Sequence, residues 1–324
     1  MTQAGRSDCQ GDDVGHAKRT AANADEPVRL VRFAAEGTVA TGLVEGEAVV
    51  ALSVPWEEAL RRLAEGRAGE LRSFVTGPPQ ALASCELLPP VAEGSELLCV
   101  GLNYRAHEAE ASDLVDALRP VPIIFAKSRR AVAGPGARLP LACDVSTEFD
   151  WEAELGVVVG REAVDIAAEH AWGYVAGYCV VNDITARDLQ KRHQQWHLGK
   201  NVPASTPIGP WVVARDAVPS PPDLEVRLRV NGEVKQRART SQLIHDIPTL
   251  LVLLSRVTTL RPGDVIATGT PAGVGYTRTP PEYLEDGDVV EASVEGVGTL
   301  TNVVSTAPRH DAAAVTAAPV ALGG

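Results

Sequence analysis

The chain has no apolar run long enough for a membrane-spanning helix, no excess of basic residues and no cysteine pattern. Each absence removes a class of protein. A bilayer-crossing helix needs roughly 20 consecutive apolar residues, so the sequence reads as soluble. Thirty Lys and Arg against 42 Asp and Glu leave a formal net charge of −12, which argues against nucleic acid or an anionic membrane as the main partner. A small anionic ligand stays compatible if its site is locally positive. Cys9, Cys85, Cys99, Cys143 and Cys179 are an odd, scattered set without Cys-x-x-Cys. They suit core filling in a reducing cytoplasm better than a disulfide framework or a zinc site. Residues 1–27 are polar, rich in Gly, Ala and Asp and without an apolar segment, so a disordered leader is expected there and not a signal peptide. The Ala-rich tail, residues 307–324, is expected to behave likewise.

The 324 residues, 45% of them hydrophobic, suffice for one large domain or a main domain with a small companion. From Val28 the pattern predicts a meander of short strands, Val28 to Phe33, Val39 to Val44 and Ala48 to Leu52. A helix is expected over Pro55 to Leu63 and a second, short one near Leu71 to Val75, stopped by Gly77-Pro78-Pro79. A boundary near residue 92 then separates a small N-terminal domain, 28–91, from a main domain, 92–306. In the main domain strand-like runs recur at Leu97 to Gly101, Ile123 to Ala126, Glu154 to Val159, Tyr174 to Asn182, Trp211 to Ala214, Glu225 to Val230, Val265 to Thr268 and Val289 to Val294. One strong helix interrupts them, Ile247 to Val257, with Leu250, Leu251, Leu253 and Leu254 on its inner side. Many strands and few helices indicate an α+β, β-dominated fold and not a doubly wound one.

Chemistry concentrates at strand ends. Residues two apart on a strand share a face, so Glu152 and Glu154 project together ahead of an apolar run, and Asp183 closes the run ending Val180-Val181-Asn182. On their own, Glu152 and Glu154 fit a solvent-facing strand better. With Asp183 they make a set of hard oxygen donors suited to Mg²⁺ or Mn²⁺. His107 and Glu110 follow a buried strand and share a face if the segment is helical, so the carboxylate can orient the imidazole and raise its basicity. Taken alone, such a pair is more often a surface ion pair. Arg187, Gln190 and Lys200 could supply positive charge and donors to an anionic ligand, with Arg187 and Asp188 equally able to pair with neighbours. His193 and His197 read as surface or loop residues. The Gly-rich stretch Ala267 to Gly275 lacks the phosphate-loop and dinucleotide spacings, and suits a loop that brings backbone amides and the Thr270 hydroxyl to a carboxylate.

In order, the chain carries Gly-x-Asn-Tyr-x-x-His, Phe-x-Lys, Asp-x-Glu-x-Glu-Leu, Asn-Asp-x-x-Ala-Arg-Asp-Leu-Gln, Gly-Lys, Pro-x-Gly-Pro-Trp and Pro-Gly-Asp-Val-Ile-Ala-Thr-Gly-Thr-Pro-x-Gly-Val-Gly. This series, from about Val28 to Val304, resembles the fumarylacetoacetate hydrolase family, in particular short bacterial members that act as hydroxyheptadienedioate isomerases, acylpyruvate hydrolases or oxaloacetate decarboxylases. The resemblance implies a mixed β-roll with a small N-terminal α/β domain, usually a homodimer. It implies Glu152, Glu154 and Asp183 as metal ligands, His107 and Glu110 as the catalytic dyad and Lys200 as the group that stabilises developing negative charge. Tyr104, Arg187, Gln190 and Thr270 take substrate-contacting positions. The expected reaction is metal-dependent hydrolysis of a C–C bond in an acylpyruvate-like 2,4-dioxo acid through a metal-stabilised enolate. Decarboxylation, isomerisation or tautomerisation of a 2-oxo acid on the same residues follow closely, and an inactive ligand-binding member comes last. One segment departs from the pattern: Asn201 to Ser205 replaces a Ser-Phe-Asp-like continuation and leaves the pocket wall open.

Overall fold

The computed structural model describes residues 26–35, 37–110, 121–192, 194–306 and 308. The expected leader up to residue 25, the expected tail apart from residue 308, and Cys9 and His193 lie outside the described residues. The chain begins with the meander β1 (Arg29–Ala35), β2 (Thr38–Glu45) and β3 (Ala48–Leu52). In α1 (Trp56–Ala64), Trp56, Ala59, Leu60, Leu63 and Ala64 form one buried stripe, with Glu57 and Glu58 in the first turn and Arg61 and Arg62 in the last, where they complement the helix dipole. The short helix expected near Leu71 is a 3₁₀ segment, Ala68–Phe74. Gly77-Pro78-Pro79 does not end regular structure but lies inside β4 (Val75–Ala81), an edge strand where proline's missing N–H costs no ladder bond.

A two-residue β5 (Leu87–Leu88) and β6 (Leu97–Gly101) lead to α2 (Arg105–Glu110). Then come β7 (Ile123–Lys127), β8 (Val132–Ala133), β9 (Arg138–Pro140), β10 (Phe149–Asp150), β11 (Ala153–Val159), β12 (Val175–Asn182) and β13 (Thr185–Ala186). Two short helices, α3 (Arg187–Arg192) and α4 (His197–Lys200), precede β14 (Thr206–Ala214), β15 (Glu225–Val230) and β16 (Glu233–Arg239). The chain closes with α5 (Ile247–Val257), β17 (Val265–Ala267), β18 (Val289–Val294) and β19 (Gly298–Ser305). Helix α5 has the expected limits and an Asp246 N-cap, but Leu253 is only half-buried.

The large sheet runs β4-β3-β2-β1-β14-β12-β11-β17-β6-β7 and the second β16-β15-β18-β19-β9, so the fold is the expected β-dominated one. All neighbours on these two paths are antiparallel except β17 with β6 and β19 with β9. The segments on either side of residue 92 share this sheet, because β1 pairs with β14 at Arg29↔Val213 and Leu30↔Val212. They also share a core, in which Leu30, Leu60 and Leu71 meet Cys99, Val158 and Val212. A larger core fills the space between the sheets with Trp151, Leu155, Tyr178 and Val180 against Val226, Leu228, Ala292 and Leu300. Central strands β11 and β12 are buried on both faces, which is why they read as continuous apolar runs. Cys85, Cys99, Cys143 and Cys179 are free thiols, of which Cys99 and Cys179 are buried in the core and Cys85 and Cys143 only half-buried. No helix among the described residues is long and apolar enough to cross a membrane.

Where β12 crosses β14, a Cβ on Gly177 would lie 2.0 Å from the Val213 carbonyl oxygen. Strand separation there is set by a bare backbone, and Gly177→Ala must spread two central strands. We expect it to destabilise the protein by about 1–3 kcal/mol, read as a lower urea midpoint with unchanged slope.

Candidate metal and acid–base site

The ends of β11 and β12 build the site. Their register pairs Ala153 with Asn182, and beyond it the Asp183 N–H donates to the Glu152 carbonyl at 2.8 Å while Asn182 Oδ1 accepts the Glu152 N–H at 3.0 Å. Glu152 just precedes β11, Glu154 lies within it, and Asp183 just follows β12, so three carboxylates converge with oxygens within 4.8 Å of one another. They are 4%, 1% and 0% exposed, which rules out a solvated strand face.

Three buried cations surround them. Lys127, at the end of β7, donates to Asp183 Oδ1 at 2.6 Å and to the Ile184 and Ser205 carbonyls at 3.0 Å. Lys200, at the end of α4, bridges Glu152 Oε2 at 2.7 Å and Asp183 Oδ2 at 2.8 Å. Arg187, at the start of α3, pairs with Asp150 Oδ2 at 2.8 Å and Glu152 Oε1 at 2.7 Å, and donates to Gln190 Oε1 at 2.9 Å. The β10–β13 pairing, Asp150↔Thr185, brings Asp150 to that guanidinium. Arg187 thus pairs with neighbours and faces the site at once, whereas the adjacent, half-buried Asp188 accepts from the Ser146 hydroxyl.

The electrostatics are uneven. Burial alone would raise the Glu152 carboxyl, but Lys200 and then Arg187 hold it down at about 2. Burial, then the charges of Asp183 and Glu152, push Glu154 well above the ordinary carboxylate range. Among the described residues Glu154 accepts the Gly269 N–H at 2.8 Å and pairs with no cation. Burial likewise lowers Lys127, with Asp183 opposing it, whereas Asp183 and Glu152 outweigh burial and raise Lys200. Four buried carboxylates, counting Asp150, thus face three buried cations. A buried charge without a partner is costly. The donor set is all carboxylate oxygen with one member lacking a counter-charge, so these residues fit a hard divalent cation such as Mg²⁺ or Mn²⁺.

The dyad stands beside this cluster. Leu102 turns the chain out of β6 with a left-handed φ of 55°, a costly conformation for a leucine. Asn103 pins the turn by donating to the His245 and Thr268 carbonyls and accepting the His245 N–H. On α2, His107 Nδ1 meets Glu110 Oε1 at 2.9 Å, and Glu110 in turn accepts the Gly273 N–H at 3.1 Å. With Nδ1 engaged by the carboxylate, Nε2 is the nitrogen left to exchange a proton. His107 is buried and, with Glu152, Glu154, Arg187, Gln190, Lys200 and Thr270, lines a nearly filled pocket of about 10 Å³.

The remaining expected residues fall into place unequally. The Thr270 hydroxyl donates to the Ala153 carbonyl and accepts from Gln236, so towards a ligand it can only accept. The Tyr104 hydroxyl is buried without a hydrogen-bond partner among the described residues, and burial, then the Glu154 charge, raise its pKa. His197 is exposed. The amides of the Gly-rich loop do meet carboxylates, but the protein's own: Gly269 serves Glu154, Gly273 serves Glu110, and Gly275 and Tyr276 serve Asp150. Asn201 is not in the cavity wall; it accepts the Ser128 N–H and ties α4 to the segment after Lys127.

Three residues escaped the sequence reading of roles. Lys127 and Asp150 lay inside quoted motifs, Phe-x-Lys and Asp-x-Glu-x-Glu, and could have been found as charges set against apolar residues, Lys127 closing the run Ile123 to Ala126 and Asp150 lying between Phe149 and Trp151. Gln236, which orders Ala153 and Thr270, sits on β16, an exposed polar strand with no apolar signal.

Comparison with known proteins agrees with this geometry. Residues 96–305 match the family model described as fumarylacetoacetate (FAA) hydrolase C-terminal. Oxaloacetate tautomerase YisK of Bacillus subtilis is 41% identical over 236 residues, 72% of this chain and 77% of that protein. A fumarylacetoacetate hydrolase of Exiguobacterium antarcticum superposes with a TM-score of 0.74 at 34% identity, covering 86% of this chain and 99% of that one. A 5-carboxymethyl-2-hydroxymuconate delta-isomerase of Mycobacterium smegmatis gives 0.70 at 37% identity over 86% and 99%.

Removing the Glu154 charge separates folding from metal binding. Glu154→Gln should leave the metal-free protein as stable as, or more stable than, the wild type. It should also abolish the rise in melting temperature that Mn²⁺ produces in the wild type. Thermal scans of chelator-treated protein with and without Mn²⁺ check both outcomes.

Proposed function

Because this chain belongs to the fumarylacetoacetate hydrolase family, we propose that it is a divalent-metal-dependent enzyme that moves a proton on a small anionic 2-oxo acid, with keto–enol tautomerisation as its reaction. One observation carries this reading: a single imidazole, oriented by a carboxylate that is itself fixed by a backbone amide, opens onto the buried three-carboxylate cluster. The 41% identity to an oxaloacetate tautomerase and the likeness to a delta-isomerase support proton transfer ahead of the hydrolysis that the family resemblance led us to expect. Hydrolysis of an acylpyruvate-like 2,4-dioxo acid is the second reading, supported by the likeness to a fumarylacetoacetate hydrolase. The same dyad would then deprotonate water.

Glu152, Glu154 and Asp183 would hold the cation, which supplies positive charge to the carboxylate and 2-oxo oxygens of the substrate. Lys200 and Arg187, already poised on Glu152 and raised in pKa, stay protonated and face negative charge as it grows on the substrate. The Gln190 amide, its oxygen held by Arg187, keeps N–H groups for a substrate oxygen. His107 Nε2 takes the proton from the carbon next to the oxo group, leaving its electron pair as the enolate C=C bond, and delivers that proton to the enolate oxygen to give the enol, while Glu110 holds the ring in one orientation and balances its charge. Burial of His107 and of the carboxylates keeps water from competing. The proposal includes a homodimer in the cytoplasm, the first part of which light scattering checks.

Chelator-stripped protein should be inactive on 2-oxo acids and regain turnover with Mg²⁺ or Mn²⁺. His107→Asn should lower kcat by roughly 10²–10⁴-fold while Mn²⁺ still raises the melting temperature. Metal-independent turnover, or unchanged kcat in His107→Asn, overturns the reading.

A further inference from the structure

Helix α2 carries both members of the dyad. Among the described residues, the only hydrogen bonds from Arg105–Glu110 to a distant segment are those that the two Glu110 carboxylate oxygens accept from the Gly273 N–H, each at 3.1 Å. Where Gly273 lies therefore decides where Glu110 stands, and with it the His107 ring. The Gly273 backbone is gripped on its remaining sides. Its carbonyl accepts the Trp151 Nε1–H at 3.2 Å and an Arg278 guanidinium N–H at 3.4 Å. Its Cα lies against β16, where an added Cβ would come within 2.2 Å of the Lys235 carbonyl oxygen, and that oxygen also accepts from Arg278 at 2.8 Å. With a φ of 102° as well, the position accepts glycine alone. Trp151 is among the largest fully buried side chains, and Nε1 is its one polar atom, a donor only. It lies between Asp150, which anchors Arg187, and Glu152 of the carboxylate cluster, and is itself absent from the pocket lining.

We propose that Trp151 is a positioning residue for the proton transfer: its indole N–H holds the Gly273 carbonyl and thereby sets the amide that locks Glu110 onto His107 Nδ1. The inference rests on the reading of His107 and Glu110 as the acid–base dyad. Because Trp151 directly precedes Glu152, one stretch of chain registers the carboxylate cluster and the base against each other. Core filling alone would require the volume of the ring and not its N–H. Deleting the N–H leaves the Gly273 carbonyl with the longer Arg278 contact, so the loop relaxes and Glu110 no longer holds the imidazole in one orientation.

Nitrogen NMR of the full chain, labelled at histidine and loaded with Mg²⁺ in mildly alkaline buffer, reads the dyad without turnover. The wild-type ring resonances that vanish in His107→Asn should show one tautomer, protonated at Nδ1. Trp151→Phe deletes the indole N–H and keeps an aromatic ring; Trp151→3-benzothienylalanine puts sulfur in place of the N–H and keeps the fused-ring shape, should the smaller ring fail to fold. In either variant the His107 resonances should move towards a mixture of both tautomers. With oxaloacetate as the probe, kcat should fall by roughly 10-fold to 100-fold and KM should stay within about twofold. The rise in melting temperature with Mn²⁺ should match the wild type, whereas a Trp151 that only packs beside Glu152 would lose it together with kcat. A single Nδ1-protonated tautomer retained in the isostere, or a lost Mn²⁺ response there, overturns the positioning role and leaves the dyad standing. A wild-type His107 without one preferred tautomer overturns the dyad, and the positioning role with it.

Discussion

Everything at the active end of this molecule depends on keeping four carboxylates out of water. Asp150, Glu152, Glu154 and Asp183 are buried at the ends of adjacent strands, where Lys127, Arg187 and Lys200 offset their mutual repulsion. Each cation arrives from a different element: Lys127 from β7, Arg187 from α3 and Lys200 from α4. The packing of those elements is therefore fixed by charge as much as by apolar burial. The compensation is incomplete, because Glu154 accepts one backbone amide and pairs with no cation among the described residues. Glu154 is therefore the carboxylate whose charge a bound divalent ion would offset.

The Gly-rich loop after β17 shows how the same constraint shapes the backbone. Its amides reach three carboxylates: Glu154 of the three-carboxylate cluster, Glu110 beside His107, and Asp150 on Arg187. One loop thus fixes the distance between the carboxylate cluster and His107. Gln236 ties it to β11 by accepting the Ala153 N–H and donating to Thr270. The strained turn at Leu102 sets the base from the opposite side, held by Asn103.

Much of this was legible in the residues. The apolar runs of β11 and β12, and the helical stripes of α1 and α5, follow from periods of two and 3.6 that burial enforces. Strands β4 and β16 were not, because edge strands bury little and carry turn-like or charged residues. Likewise β14 was read only from Trp211 onward, since Thr206 to Pro210 contains two prolines that usually mark a loop. The pairing of β1 with β14 joins segments almost two hundred residues apart, and no local pattern encodes a partner at that distance.

The sequence by itself determined which side chains could do chemistry: carboxylates at alternate strand positions, a histidine three residues from a glutamate, and an ordered motif series that names the family. Tertiary structure alone decided which of them meet, and with what charge. It turned Glu152 and Glu154 inward, spent the loop amides and the Thr270 proton on the protein itself, drew Lys127 into the cluster and set Trp196 on Gly101. Composition and spacing specify chemical capacity, whereas counter-charge, desolvation and cavity shape arise only when distant segments are packed together.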